Sequence, residues 1–239
     1  MNNPIHALWA PLPPLPLLWI VVTLAGYALA RKLQTLLGGS PIANPVLLAI
    51  VLVGAVVLVA GVRYSTYFAG AQFIDFLLGP ATVALAVPMA RNIGYVRSSL
   101  KGVGLALLAG SLASSLSGVI IVRALGGSRT VALSMAPKAV TTPIAMAVSQ
   151  QIGGLPALTA SLAILGGVFA ALIGRRLLTM LAIRDRRAHG FAAGVAGSGV
   201  AAAEVGSLGG VATGFAALGI AMNGVVTAVL TPLLMASWR

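Results

Sequence analysis

The stretch GVGLALLAGSLASSLSGVIIV, residues 102–122, contains no charged side chain and decides the class of fold. A helix needs about 20 mostly apolar residues to cross the hydrocarbon core of a bilayer. Two further uncharged stretches, residues 44–62 and 139–174, lie on either side of it. We therefore predict an all-α fold: a polytopic membrane helix bundle of about six to eight segments, forming a single membrane domain over residues 1–239.

The composition excludes several other classes of protein. Apolar residues make up 59% of the chain and charged residues 8%, against about 25% charged residues in soluble domains. The net charge is +12, but the basic residues lie between apolar runs, as loop charges do, rather than on a nucleic-acid-binding face. With no cysteine and two histidines, we expect neither a metal nor a cofactor. The N-terminal run lacks a basic start and a cleavage site, so we expect a retained helix.

Charges, glycines and prolines divide the chain into eight apolar segments, at residues 15–30, 44–61, 71–90, 102–122, 131–154, 156–178, 190–210 and 211–234. Segment 1 is predicted to end before Arg31-Lys32. An aromatic cluster at residues 64–68 is expected at headgroup level, before segment 3. Segment 3 is interrupted by Gly79-Pro80 and segment 5 by Pro137 and Pro143, because an internal proline removes a helix hydrogen bond. We expect broken or re-entrant helices there.

Basic residues predict the topology. One cluster, Arg91, Arg97 and Lys101, lies between segments 3 and 4; a second, the five arginines at residues 175, 176, 184, 186 and 187, lies between segments 6 and 7. Cytoplasmic loops carry an excess of lysine and arginine. Both clusters lie in the cytoplasm only if segment 5 enters and leaves on one face. We therefore predict that segment 5 does not cross the membrane.

A weak internal repeat is one interpretation of segments 3 and 5. After a shift of 59 residues, Thr82, Ala86, Ile93 and Gly94 fall on Thr141, Ala145, Ile152 and Gly153. Paired interrupted segments mark substrate sites in transporters built from repeats. Chance identity in so biased a composition is the other interpretation, and the predicted topology treats the two segments differently.

Three charged side chains lie well inside apolar segments: Asp75, Lys138 and Glu204. Each costs at least ~2.5–3.5 kcal/mol at the bilayer centre, so each needs a partner or a wet cavity. Lys138 lies beside prolines that free backbone amides, and an ammonium group with such amides suits a carboxylate. Alternatively, Lys138 neutralises one of the two acids or extends to an interface. Asp75 and Glu204 are candidates for proton coupling or for ion pairing.

Hydroxyl side chains supply further candidates. Thr82, Thr141 and Thr142 are candidates for substrate contact, although membrane threonines also bond to their own helix. The serines of segment 4, residues 111, 114, 115 and 117, are predicted to be small packing residues. The histidines, His6 and His189, lie near the N-terminus and in a basic loop, and the acidic residues lie far apart in sequence. We therefore do not expect an enzyme.

Three motifs in order along the chain resemble the LrgB/CidB family. They are NPVLL at 44–48; AQFI at 71–74 with LLGPATVALAVP at 77–88; and PKAVTTPIAM at 137–146, continued by IGGLPALTA at 152–160. The resemblance covers roughly residues 44–234. It implies either an antiholin-like regulator of murein hydrolases or a relative of the plastid glycolate/glycerate translocator. It also implies a small LrgA/CidA-type membrane partner, and some bacterial pairs are assigned pyruvate transport.

One region departs from the family pattern. Members often carry Ser-His-Xaa-Ile-Gly-Thr-Ala-Arg where this chain has GSGVAAAE at residues 197–204, so Ser198 replaces the histidine and Glu204 the arginine. These two roles are therefore not carried over. The substrate-binding residues that the resemblance and the residue chemistry together predict are Lys138, Thr141, Thr142, Pro143, Gly79, Pro80 and Thr82.

Our first hypothesis is a secondary transporter of small monocarboxylates, of pyruvate, glycolate or glycerate size, spanning a bacterial inner membrane several times. Its site would lie near mid-bilayer, where broken segments 3 and 5 meet. The alternative is an antiholin-like regulator of murein hydrolase export and cell lysis. Expected partners are the bilayer, the carboxylate, an LrgA/CidA-type subunit and a second copy of the chain; nucleic acid is not expected.

Overall fold

The computed structural model describes residues 16–38, 43, 45–77, 80, 84, 86–91 and 93–236, with a few side chains, including that of Asp75, left out. These residues form helices, turns and short connections, and no strand occurs among them. The predicted all-α fold is confirmed. The chain divides into two compact units, Met1–Ala84 and Leu85–Arg239; that they make one membrane domain stays a prediction.

The first unit holds three helices: α1 (Pro16–Leu36), α2 (Pro45–Val59) and α3 (Tyr64–Phe76). Trp19 on α1 is buried and meets the ring of Tyr67 edge to face, with the ring centroids 5.7 Å apart. The hydroxyls of Thr23 and Tyr67 are 3.0 Å apart. A Cβ at Gly26 would lie 2.6 Å from Val53 Cγ2. α1 therefore packs closely against both α2 and α3.

Two boundaries predicted for this unit are wrong. α1 continues through Arg31 and Lys32 to Leu36, because long basic side chains can extend to the headgroups from within a helix. α3 begins at Tyr64, before the start predicted for segment 3 at residue 71, and Tyr64 stacks on Phe68 one turn later. The interruption predicted within segment 3 falls largely outside the described residues; α3 ends at Phe76, before it.

The second unit contains eight described helices: α4 (Ala86–Arg91), α5 (Ile93–Ser98), α6 (Leu100–Ala124), α7 (Arg129–Met135), α8 (Thr142–Ile152), α9 (Pro156–Met180), α10 (Arg186–Val205) and α11 (Gly210–Ala236). By length and composition, α6, α9 and α11 could each cross a membrane, as could α1 in the first unit; α10 is long enough only when it is counted across a break at Ser198. A 25-residue helix such as α6 or α9 extends about 37 Å. That length exceeds the roughly 30 Å of a hydrocarbon core.

Segment 5 is broken, as predicted. α7 ends at Met135, a turn occupies residues 136–141, and α8 begins at Thr142. The two ends of the segment meet again, because Gly154 lies against the backbone of Ser134. The chain thus enters, turns and returns. We name residues 129–152 hairpin 1 and residues 136–141 its tip.

Buried hydroxyl groups close hairpin 1 at its base. Thr159 Oγ1, on α9, lies 2.7 Å from Ser149 Oγ and 2.9 Å from the carbonyl of Ser134. Ser134 Oγ accepts a hydrogen bond from the backbone N–H of Leu155 at 2.7 Å. The three hydroxyl side chains are completely buried. Satisfied polar networks of this kind rigidify an apolar interior, so the base of the hairpin is anchored to α9.

α10 is also broken, at Ser198, whose φ of 50° and ψ of −139° lie outside the helical region. Its two halves reach the same part of α11. Gly190, before the break, approaches the carbonyl of Ala212, and Val205, after the break, packs in one buried cluster with Ala212. The chain therefore reverses direction at Ser198. We name residues 186–208 hairpin 2 and residues 197–199 its tip.

The hairpins enter the second unit from opposite ends. Hairpin 1 shares a buried cluster with the C-terminal parts of α6 and α11, through Val119, Leu133 and Met235. Hairpin 2 shares one with their N-terminal parts, through Val103, Phe191 and Phe215. α6 and α11 therefore run parallel. The pair α6 with hairpin 1 is followed by the pair α9 with hairpin 2 in inverted orientation.

One contact places the two basic clusters on one side. Arg187 Nη1, at the start of α10, donates a hydrogen bond to Ser99 Oγ, just before α6, at 3.4 Å. The loops that carry the two clusters therefore lie at the same end of the unit, as the charge rule predicted. The inverted pair differs from the predicted repeat, since it joins residues 100–152 to 156–208 and leaves out segment 3.

Candidate functional site

Lys138 lies in the tip of hairpin 1, against the central part of α6. Its Nζ donates a hydrogen bond to the carbonyl of Ser114 at 2.7 Å and lies 3.4 Å from Ser114 Oγ. Of the described acidic side chains, Asp185 pairs with Arg187, and Glu204 forms no ion pair. Neither neutralises Lys138. The ammonium group is held by neutral oxygens, which an anion can replace.

α8 begins inside the same tip, with Thr141 as its N-cap residue. The Thr141 side chain makes no capping hydrogen bond, and Pro143 occupies the first turn. The N–H groups of Thr142 and Ile144 have no hydrogen-bond acceptor in the described part of the chain. Helix N-termini with such amides attract anions. The tip therefore combines one cationic side chain with amide and hydroxyl donors.

Asn223 joins the two hairpins near the centre of α11. Its Nδ2 donates hydrogen bonds to the carbonyl of Ala139, in the tip of hairpin 1, at 3.1 Å and to the carbonyl of Val195, in hairpin 2, at 2.9 Å. Its Oδ1 accepts a hydrogen bond from Ser111 Oγ, on α6, at 2.6 Å. The side chain is 1% exposed. One amide group thus holds both hairpins against both long parallel helices.

Ser198 lies in the tip of hairpin 2 and has a buried hydroxyl group. The side chain is 9% exposed, and its Oγ has no hydrogen-bond partner among the described residues. Gly197, next to it, packs tightly on α9: a Cβ there would lie 2.7 Å from Ala170 Cβ and 3.2 Å from the carbonyl of Gly167. The tip is therefore held against the middle of α9, and its hydroxyl stays free to bond.

The structure does not place the other predicted site residues beside Lys138. Gly79, Thr82 and the side chain of Asp75 lie outside the described residues, and Pro80 is exposed. Glu204 is half-buried in the returning arm of hairpin 2. For Asp75, proton coupling and ion pairing both stay predictions. For Glu204, the ion-pair alternative finds no partner among the described basic residues.

Sequence reasoning missed several residues of the site. The serines of α6 were interpreted as packing residues, which is wrong for Ser111, bonded to Asn223, and for Ser114, bonded to Lys138. Gly118 provides room beside the ammonium group. The available signal was Asn223 itself, the one carboxamide in the apolar run 211–234, since a buried amide in a membrane helix needs partners.

These features define a class: a multi-pass helical membrane protein with two inverted re-entrant hairpins and a polar centre. The profile of the LrgB-like family matches residues 23–237, and the chain belongs to this family, which confirms the resemblance. Antiholin-like protein LrgB of Bacillus cereus (strain B4264) is 31% identical over 220 residues, covering 92% of this chain and 96% of the relative. The protein of that name from Bacillus anthracis (strain CDC 684 / NRRL 3495) has the same identity and coverage. No solved structure matches the chain.

Proposed function

We propose that this protein is a secondary transporter of small monocarboxylates in a bacterial inner membrane. The observation that carries the proposal is the ammonium group of Lys138, which is held by Ser114 in a hairpin tip beside the middle of α6. A lysine inside a membrane pairs with an acidic side chain or with backbone carbonyls. Among the described residues Lys138 has only a carbonyl and a hydroxyl as partners, so its positive charge is not neutralised. Here the described neighbours are neutral, so the charge is available to an anionic substrate.

The chemistry of binding follows from the tip. A carboxylate oxygen would replace the carbonyl of Ser114 as the acceptor for Lys138. Thr141, Thr142 and the first amides of α8 would donate to the second oxygen, with Pro143 fixing the helix start. One cation and a few donors match a single carboxylate, and the family resemblance points to substrates of pyruvate, glycolate or glycerate size.

The inverted hairpins supply a route for alternating access. In transporters with inverted repeats, broken helices meet at the substrate site, and one half moves relative to the other. In this chain, the tip of hairpin 1 and the first arm of hairpin 2 both accept hydrogen bonds from one side chain, that of Asn223. Movement of either hairpin away from Asn223 would open the centre toward the end from which that hairpin enters.

The test measures uptake of labelled pyruvate and glycolate into proteoliposomes. Lys138→Ala is expected to abolish saturable uptake, and Lys138→Arg to retain part of it. Lys101→Ala, which removes an exposed cation at the start of α6, serves as the matched control and should behave like the wild type. Uptake by Lys138→Ala at the wild-type rate would contradict the proposal.

The second candidate is an antiholin-like regulator of murein hydrolase export and lysis, acting with an LrgA/CidA-type subunit or a second copy of the chain. The names of the relatives favour this candidate over transport, because they are antiholin-like proteins and name no transported substrate. It predicts that deletion of the gene changes murein hydrolase activity and lysis. A gene that encodes Lys138→Ala should then restore both properties to the deletion strain as well as the wild-type gene does.

A further inference from the structure

The tip of hairpin 2 carries two energetic costs at one residue. Ser198 adopts a φ of 50°, a backbone angle that residues other than glycine rarely take. Its hydroxyl is also buried without a partner among the described residues, whereas buried polar groups are nearly always hydrogen-bonded. Strain and unsatisfied groups that persist in this way cluster at functional sites.

Both costs would vanish if this position were glycine. The residues on either side, Gly197 and Gly199, are glycines, so the turn itself has no need of a side chain at residue 198. What serine adds is a hydroxyl group, which can donate one hydrogen bond and accept others. A partner that is not part of the described chain would satisfy this hydroxyl.

The location of Ser198 indicates what that partner is. Val195, one turn earlier in hairpin 2, and Ala139, next to Lys138, accept hydrogen bonds from the same nitrogen of Asn223. A single amide group therefore joins the tip of hairpin 1 to the arm of hairpin 2 that leads to Ser198. Gly197 packs on α9 and prevents the tip from withdrawing toward that helix.

We propose that the Ser198 hydroxyl donates a hydrogen bond to the same small carboxylate that Lys138 binds, so that the two hairpin tips hold the substrate from opposite sides. The inference rests on the proposed transport function. Lys138 supplies the charge, and Ser198 supplies a neutral donor from the inverted hairpin. Substrate binding would thereby depend on the position of both hairpins.

The experiment compares the KM for labelled pyruvate and the thermal unfolding midpoint of wild type, Ser198→Ala and Ser198→Gly. Both variants lose the hydroxyl, and we expect KM to rise about tenfold, the equivalent of one good hydrogen bond. We also expect unchanged or higher midpoints, because the unsatisfied group is gone and glycine relieves the strain. A purely structural serine would show the opposite pattern: unchanged KM and a lower midpoint.

Ser161→Ala is the matched control. Its exposed hydroxyl bonds only to the carbonyl of Ala157 in its own helix, so KM should not change. If Lys138→Ala loses uptake while Ser198→Ala keeps the wild-type KM, the inference is overturned and the transport proposal stands. Wild-type uptake by Lys138→Ala, or no uptake by the wild type itself, overturns both.

Discussion

A Cβ atom on Gly118 would lie 2.9 Å from the Nζ of Lys138. The same atom would lie 2.9 Å from Met135 Cγ and 3.3 Å from the carbonyl of Met135. No methyl group fits at this point unless the lysine or α7 moves. The absence of a side chain at Gly118 therefore decides where the ammonium group lies.

Gly118→Ala is expected to displace Nζ from Ser114 and lower the initial rate of carboxylate uptake roughly tenfold, because small errors in position are costly at a binding site. Overpacking should also cost about 1–3 kcal/mol of stability. Gly104→Ala on the same helix, where a Cβ meets nothing within 4 Å, is the control. Equal uptake rates for the two variants in proteoliposomes would contradict this interpretation of Gly118.

Asn223→Asp is expected to loosen the tip of hairpin 1 and the first arm of hairpin 2 together. An ionised carboxyl group donates no hydrogen bond and a protonated one donates a single bond, so at least one of the carbonyls of Ala139 and Val195 loses its donor. Leaving a buried acceptor unsatisfied costs about 1–3 kcal/mol. Hydrogen exchange of residues 136–141 and 195–201 should accelerate in both regions. Ser111→Ala, which leaves the two donor bonds in place, should accelerate neither; faster exchange in only one of the two regions would argue against the coupling.

Thr159→Val should weaken the base of hairpin 1. The substitution keeps the shape of the side chain but leaves Ser149 and the carbonyl of Ser134 without their partner, a loss of about 1–3 kcal/mol. Thermal unfolding in detergent measures the effect. Ser161→Ala, at an exposed hydroxyl of the same helix, should leave the midpoint unchanged, and a midpoint for Thr159→Val equal to that of this control would show that the hydroxyl cluster contributes little.

The two hairpins predict the sidedness of four exposed positions. The chain has no cysteine, so single-cysteine variants can be labelled in intact membranes with an impermeant maleimide. Leu125→Cys and Leu155→Cys flank hairpin 1 and should label from one side; Leu181→Cys and Ser207→Cys flank hairpin 2 and should label from the other. Labelling of residues 125 and 155 from opposite sides would mean that segment 5 crosses the membrane.

Asp185 should give the start of α10 a small pH dependence. Hydrogen bonds from the Arg187 side chain and backbone N–H lower the pKa of Asp185. Because the folded pKa lies below the ordinary value of about 3.9, the carboxylate stabilises the fold above that value, and this stabilisation is lost as the pH falls through the folded pKa.

Asp185→Asn tests this dependence, because asparagine still caps the helix but carries no charge. The difference in unfolding midpoint between wild type and variant should correspond to less than about 1 kcal/mol, since the pair is largely exposed. It should be greatest near neutral pH and shrink below about pH 4. A difference that does not change with pH would assign the effect to the cap alone.

Much of the fold could be predicted because it depends on local chemistry. Uncharged runs such as residues 102–122 predicted helices, and Pro137 with Pro143 predicted the break in segment 5. The break at Ser198 was not predicted as a reversal, since no proline marks it. The continuation of α1 past Arg31 and the start of α3 at Tyr64 were also missed, because neither residue type by itself ends or prevents a helix.

The candidate site was predicted only in part. Lys138 and the Thr141–Pro143 turn were found because a charge next to prolines is unusual in an apolar segment. Ser111, Ser114 and Gly118 were not recognised, because their roles depend on Asn223 and on Lys138, which are distant in the chain. Small residues on a membrane helix have the same pattern whether they pack or bind.

The sequence by itself determined that the chain is a membrane protein, its helical class, its family and the placement of its two basic loops at one end. These properties follow from the free-energy cost of placing unpaired backbone groups and charges in hydrocarbon. That cost depends on the residues of each segment and not on its neighbours. Only the tertiary structure decided that the hairpins enter from opposite ends, that Asn223 holds both, and that Lys138 rests on Ser114 rather than on Glu204. Those are contacts between distant segments, and hydrogen bonds across a bundle depend on which helix faces become neighbours.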